Sequence, residues 1–261
     1  MHPHHSQTIQ KVIEYFQRDP EVLALLLSGS IAHRFETSTS DVDIMIFISE
    51  ENYQKRFQAG KLTFFTTDLC TYEGGYVDGK YISLDFVKQV LEKGSDPARF
   101  AFQGAQVLFS RIEGFEEEIG RIAEYPVGEK AERIKRFHAQ LEAWHWYCGE
   151  ALKRGNQYLL NTAVTKLILF GGRLILTHNE MLYPYHKWFL KVLEKAREKP
   201  SDLMAAIQAL TESPTIENIE AFYQKVKTFQ PWNENPHGWG AQFMLDSELN
   251  WMGGKTPIDD L

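Results

Sequence analysis

The stretch LALLLSGSIAHRFETSTSDVDIMIFI, from Leu23 to Ile48, decides how the rest of the chain is read. An apolar run from Leu23 to Leu27 stops at Ser28-Gly29-Ser30, and ten residues later a second apolar run opens on Asp41-Val42-Asp43. That order reads as strand, tight turn, connection, strand. Strand side chains alternate, so Asp41, Asp43, Met45 and Phe47 share one face and Val42, Ile44, Ile46 and Ile48 the other. Two carboxylates ~6 to 7 Å apart along a strand repel unless a cation lies between them. Mg²⁺ suits that place, because it takes carboxylate and phosphate oxygens and keeps several waters. The turn offers the complement: Gly29 lets the backbone approach a ligand, and successive N–H groups opening a short helix form an anion nest.

With Gly29-Ser30, ten residues, Ser40 and then Asp41-Val42-Asp43 between apolar strands, the chain resembles the nucleotidyltransferases of the DNA polymerase beta superfamily. It is most similar in pattern to the minimal nucleotidyltransferases and to the bacterial antibiotic nucleotidyltransferases of the kanamycin and lincosamide type. The resemblance covers roughly the first 110 residues. It implies an α/β (α+β) domain with a small mixed sheet, followed by an all-α helical bundle, with the active site in the cleft between them. It also implies nucleotide contacts from Gly29, Ser30, His33 and Ser40, and two Mg²⁺ ions on Asp41 and Asp43. A third acid comes from a neighbouring strand in this fold, and the segment Tyr81–Val87 reads as one, with Tyr81, Ser83 and Asp85 on one face; Asp85 matches as third metal ligand and catalytic acid. One departure stands out: many members carry Arg-Gly at the third and fourth positions after the serine, where this chain has His33-Arg34.

The 261 residues, 43% of them apolar, suit one large domain or two small ones. A net charge of −7 argues against a nucleic-acid template, whose phosphates demand a basic groove. The same acidity leans toward a cationic small substrate. Cys70 and Cys148 have neither metal nor disulfide spacing and are expected to be reduced. No apolar run is read as a membrane span and no apolar leader is seen, so a cytoplasmic protein is expected. His2, His4 and His5 are expected to be a frayed, solvated terminus.

Helical spacing of Ile9, Val12, Ile13 and Phe16 predicts a helix over 6–18, and a polar helix is expected over 50–60. Short strands, or one strand with a break, are expected at 62–66 and 69–72, with Gly74-Gly75 and Asp78-Gly79 as turns. A helix over 96–103, an edge strand over 106–109 and a helix over 113–123 follow. Pro126-Val127-Gly128 breaks the chain, which predicts a nucleotidyltransferase domain over 1–125 and a helical bundle over 128–261. Apolar stripes predict bundle helices over 129–153 and 157–178, a third after Tyr183-Pro184, and two more over 202–212 and 216–228 with Ser201 and Thr215 as N-caps. The tail from Gln230 holds three of the six tryptophans and is too apolar for disorder.

In the bundle, Glu142 and Glu150 are candidate bases for the acceptor hydroxyl, on the positional likeness to kanamycin-type enzymes. Lys187, in Tyr183-Pro184-Tyr185-His186-Lys187-Trp188, is a candidate phosphate contact. Arg133 and His138 repeat the Arg, four residues, His spacing of helical ribonuclease domains and are read as a charged helix face. The expected activity is Mg²⁺-dependent transfer of a nucleoside monophosphate, ATP included among the donors, to a small-molecule hydroxyl, with pyrophosphate released. The alternatives are an antitoxin-type enzyme that AMPylates a partner protein and a degenerate nucleotide-binding scaffold. No template and no membrane are expected as partners, and a homodimer is left open.

Overall fold

The computed structural model describes residues 1–254 and divides into two compact units, Met1–Glu124 and Tyr125–Leu261. The first unit runs α1 (Pro3–Gln17), β1 (Val22–Leu27), α2 (Gly29–Ala32), β2 (Val42–Ile48), α3 (Glu50–Gln58), β3 (Thr63–Thr66), β4 (Val77–Ser83), α4 (Leu84–Lys93), α5 (Asp96–Phe100), β5 (Gln106–Ser110) and α6 (Phe115–Ile122). Its five strands form one mixed sheet in the order β3-β4-β2-β1-β5. Of its neighbouring pairs, β2 and β4 run parallel and the other three antiparallel. Alternation divides the core between the two faces. Val42, Ile44, Ile46 and Ile48 meet Val12 and Phe16 of α1, while Ala24, Leu26 and Phe47 meet Val87, Val90, Phe115 and Ile122 of α4 and α6. Each such buried side chain contributes about 1.5–3 kcal/mol relative to exposure. Buried Arg99 ties the helices of the second face together by donating to the carbonyls of Leu91 (2.8 Å), Gly94 (3.2 Å) and Ile122 (3.4 Å).

Three expectations are corrected in this unit. Leu69–Tyr72 is loop, not strand. The fourth strand begins at Val77 rather than Tyr81, so Asp78-Gly79 lies inside it and Asp85 lies on the first turn of α4. The physical reason is visible at Gly79, which pairs with Ile44. A Cβ there would stand 2.9 Å from Ile44 Cγ1 and 3.1 Å from Ile46 Cδ1, so the glycine is the space those side chains fill. The N-terminus is ordered helix from Pro3, whose fixed φ suits a first turn, and His5 is 0% exposed.

The second unit is helical: α7 (Lys130–Arg154), α8 (Gln157–His178), α9 (Phe189–Glu194), α10 (Leu203–Glu212), α11 (Ile216–Lys227) and α12 (Trp239–Phe243). Asn156 caps α8 by accepting the Leu159 N–H at 3.0 Å, and Thr215 caps α11 by accepting that of Asn218 at 3.3 Å. Helix α10 starts one residue later than Ser201 capping requires, after Asp202. Helix α8 does have the length and composition of a membrane span, contrary to expectation, yet 61% of its apolar window is buried inside the unit, where α7 and α8 pair through a two-residue connection. In the tail, Trp232 and Phe243 are buried; residues 255–261 lie outside the described residues.

Gly79→Val is expected to destabilise the first unit by about 1–3 kcal/mol through overpacking, read by chemical denaturation. An unchanged midpoint would show that Ile44 and Ile46 do not need the space.

Candidate active site

The ladder around β2 assembles the site. On one side, Leu27 pairs with Ile44 and the Ser28 N–H donates to the Asp43 carbonyl at 2.9 Å, which brings the turn after β1 against the start of β2. On the other, β4 runs parallel in register, with Val42 opposite Val77 and Asp43 opposite Asp78. Paired residues of adjacent strands project to the same face ~4.8 Å apart, so Asp43 and Asp78 stand side by side. Tyr76 marks where the acids meet. Its phenol is pushed up from the ordinary value by a hydrogen bond with Asp41, then by the Asp41 charge, by burial, and by the charges of Asp43 and Asp78. Three carboxylates therefore act on one hydroxyl.

The turn completes the site. Gly29 has φ +63°, and a Cβ there would fall 1.8 Å from Asp43 Oδ2, so only glycine lets this carboxylate lie against the turn. The next side chain, Ser30, is buried and its Oγ has no hydrogen-bond partner. A buried hydroxyl left unpaired costs about 1–3 kcal/mol, which a bound oxygen acceptor would recover. Helix α2 closes with the Phe35 N–H on the Ser30 carbonyl (2.8 Å) and the Arg34 N–H on the Ile31 carbonyl (3.2 Å). That pair of bonds needs a left-handed residue, and Arg34 takes it at φ 59°. Arg34 stands where many members of the resembled family carry glycine, the residue that takes a left-handed φ without strain. His33 stacks on Phe100 with ring centroids 4.3 Å apart.

Gly29, Ser30, Asp41 and Asp43 are thus brought together, and Asp85 is not. Because β2 and β4 are parallel, Ser83 lies opposite Ile48 at the far end of the ladder. Asp85 lies beyond it, roughly 16 Å or more from the Asp43–Asp78 pair at ~3.3 Å per residue, 54% exposed and bound to Lys88 at 3.2 Å. The acid beside Asp43 is Asp78, not Asp85. Ser40 Oγ accepts the Thr37 N–H at 2.9 Å, within its own loop. Among the described residues no three His, Cys, Asp or Glu side chains close on one point as a cage. An open edge of acids beside a glycine cradle and an unpaired hydroxyl suits a cation that keeps waters and takes phosphate oxygens.

The candidates of the second unit are engaged within it. Glu142, 11% exposed, accepts from the Tyr223 hydroxyl at 2.8 Å. Its Oε1 faces Lys227 Nζ at 3.2 Å, an ion pair, and lies 3.4 Å from His138 Nε2. Burial alone would raise its pKa, but His138, Tyr223 and Lys227 together overcome that and hold it down at about 2. Such a carboxylate is a weak base. Glu150 pairs with Lys153 and Arg154, and Arg133 with Glu129. Exposed Lys187 lies over the ring of Trp188 at 5.1 Å, and the neighbouring Tyr183 is buried against Arg173, 4.4 Å from ring to guanidinium. Because the folded pKa of Glu142 lies below the unfolded value of ~4.3, its contribution is complete above that value and is lost as pH falls toward about 2. Denaturation of the second unit between those pH values should accordingly depend less on pH in Glu142→Gln than in wild type; an unaltered slope would deny the pairing.

A nucleotidyltransferase-like protein from Exiguobacterium sibiricum 255-15 is similar in structure at a TM-score of 0.48 and 11% identity, covering 98% of this chain and 83% of that one. No curated protein matches the chain. Residues 10–95, which carry the Gly-Ser turn and all three acids, match the family model for polymerase beta, nucleotidyltransferase. The first unit therefore carries a nucleotidyltransferase domain of the polymerase beta superfamily, the domain of a transferase.

Proposed function

We propose that this protein transfers a nucleoside monophosphate from a nucleoside triphosphate to the hydroxyl of a small molecule in the presence of Mg²⁺. The observation that carries this reading is the juxtaposition of Asp41, Asp43 and Asp78 with the Gly29 cradle and the unpaired Ser30 hydroxyl. Gly29 admits a phosphate to the backbone, and Ser30 Oγ donates to one of its oxygens. Asp41 and Asp43 would hold the cations. Ions held there would supply charge stabilisation to the entering and the leaving oxygen of an in-line displacement. The acceptor oxygen forms its bond to the α-phosphorus as the bond to pyrophosphate breaks. Its proton passes to an Asp78 carboxylate oxygen, a role that Glu142, tied to three partners, suits less well.

The net charge of −7 leans toward a cationic acceptor such as an aminoglycoside.

The test is incubation with each ribonucleoside triphosphate and Mg²⁺ against aminoglycosides, lincosamides and common metabolites, read by mass spectrometry. An acceptor heavier by one nucleoside monophosphate is expected. Asp41→Asn, Asp43→Asn and Asp78→Asn should each lower turnover ~100-fold or more, whereas Asp85→Asn should stay near wild type. Loss of activity in Asp85→Asn with retention in Asp78→Asn would reverse the assignment of the third acid.

A further inference from the structure

Two histidines at the start of α1, His4 and His5, reach the loop that delivers Asp41. His5 is 0% exposed, and its Nε2 lies 3.0 Å from the carbonyl oxygen of Ser40. The Tyr72 hydroxyl donates to that same oxygen at 2.5 Å. His4 Nε2 lies 2.9 Å from the Ser38 carbonyl. The rings support one another, with centroids 4.3 Å apart for His4 and His5 and 4.4 Å for His4 and Tyr72.

A carbonyl oxygen has two lone pairs, and here two side chains engage them. The Ser40–Asp41 peptide is planar, so fixing its oxygen fixes the plane. The next peptide is anchored as well, because the Val42 N–H donates to the Tyr76 carbonyl at 3.1 Å. Asp41 is therefore held between two fixed planes, and only its side-chain torsions remain free. For His5 to donate, the proton sits on Nε2. Its Nδ1 is buried with no partner, an arrangement that costs stability and gives the core nothing an apolar residue would not give better.

We propose that His5 and Tyr72 are positioning residues, a clamp on the Ser40 carbonyl that aims the Asp41 carboxylate at the cation. The proposal rests on Asp41 being a metal ligand. Partners that orient a ligating side chain are worth roughly 10- to 100-fold in metal affinity, and neither clamp residue belongs to the motif that marks the acids.

The test uses the full chain with Mn²⁺ in place of Mg²⁺, titrated with each of the four ribonucleoside triphosphates and followed by water-proton relaxation. His5→Ala and Tyr72→Phe should raise the half-saturating Mn²⁺ concentration by ~10-fold or more, and His5→Gln, whose amide N–H reaches a similar point, should restore it. In the metal-free protein, both disruptive variants should speed amide hydrogen exchange at Val42. Should His5→Ala fail to fold, Tyr72→Phe removes a single hydroxyl and carries the same expectation. Unchanged Mn²⁺ affinity in the folded variants, even with a lowered melting temperature, would overturn the clamp and leave ordinary core contacts. Asp41→Asn separates the two readings: if it abolishes Mn²⁺ binding while the clamp variants do not, the clamp alone fails, and if it too binds Mn²⁺ as wild type, the metal assignment fails with it.

Discussion

The ladder around β2 brings Asp41, Asp43 and Asp78 to one edge of the sheet against their mutual repulsion, and the first unit depends on how that is done. Like charges this close are unfavourable in the metal-free protein, so the ladder must impose the arrangement. It does so from both edges. Ser28 N–H fixes the Asp43 carbonyl from β1, and the parallel register with β4 places Asp78 beside it. The apolar face of the same strand, Val42 through Ile48, anchors that register in the core beneath α1. A slip of one residue would turn the acids inward and the isoleucines outward, so packing on one face specifies chemistry on the other.

The turn and strand were legible in the sequence because everything needed was local: an apolar run, Gly29-Ser30, and an acid pair at the start of the next run. Asp78 was not legible by the same route. Its partner is Asp43, 35 positions away in a parallel pairing that no local pattern encodes, and Asp78-Gly79 carries the signature of a turn. Two signals did exist. Val77, Gly79 and Tyr81 alternate with Asp78, Lys80 and Ile82, which is strand spacing from four residues earlier than expected, and Leu84, Val87, Val90 and Leu91 follow helical spacing from just past Ser83. The alternation of Tyr81–Val87 misled because a strand running into a helix briefly satisfies both periods. His5 offered no signal at all, since its partner Ser40 lies 35 residues on and a terminal histidine reads as solvated.

The second unit shows why a helix-face glutamate cannot be assigned from position. Glu142 is a candidate base by its position along α7 alone, yet Tyr223 and Lys227 reach it from α11 and His138 from one turn back on α7. The two contacts from α11 come from far along the chain, and with His138 they turn a candidate proton acceptor into a fixed anion. The Tyr183–Trp188 segment behaves alike, with Tyr183 sandwiching Arg173 against Phe137. Its aromatic and basic residues build a junction.

The central claim is that the Gly29-Ser30 turn and the Asp41–Asp43–Asp78 edge form one site, in which phosphate and cation depend on each other. Differential scanning of the melting of the full chain with nucleotide alone, Mg²⁺ alone and both together tests it most directly. At a hundredfold excess over Kd, binding stabilises by ~2.7 kcal/mol, which at ~2 to 4 °C per kcal/mol for a chain of this size is a rise of roughly 5 to 10 °C in the transition of the first unit. That rise is expected only with nucleotide and Mg²⁺ together. Equal shifts with and without Mg²⁺ would contradict the account, because the phosphates would then be bound away from the carboxylates.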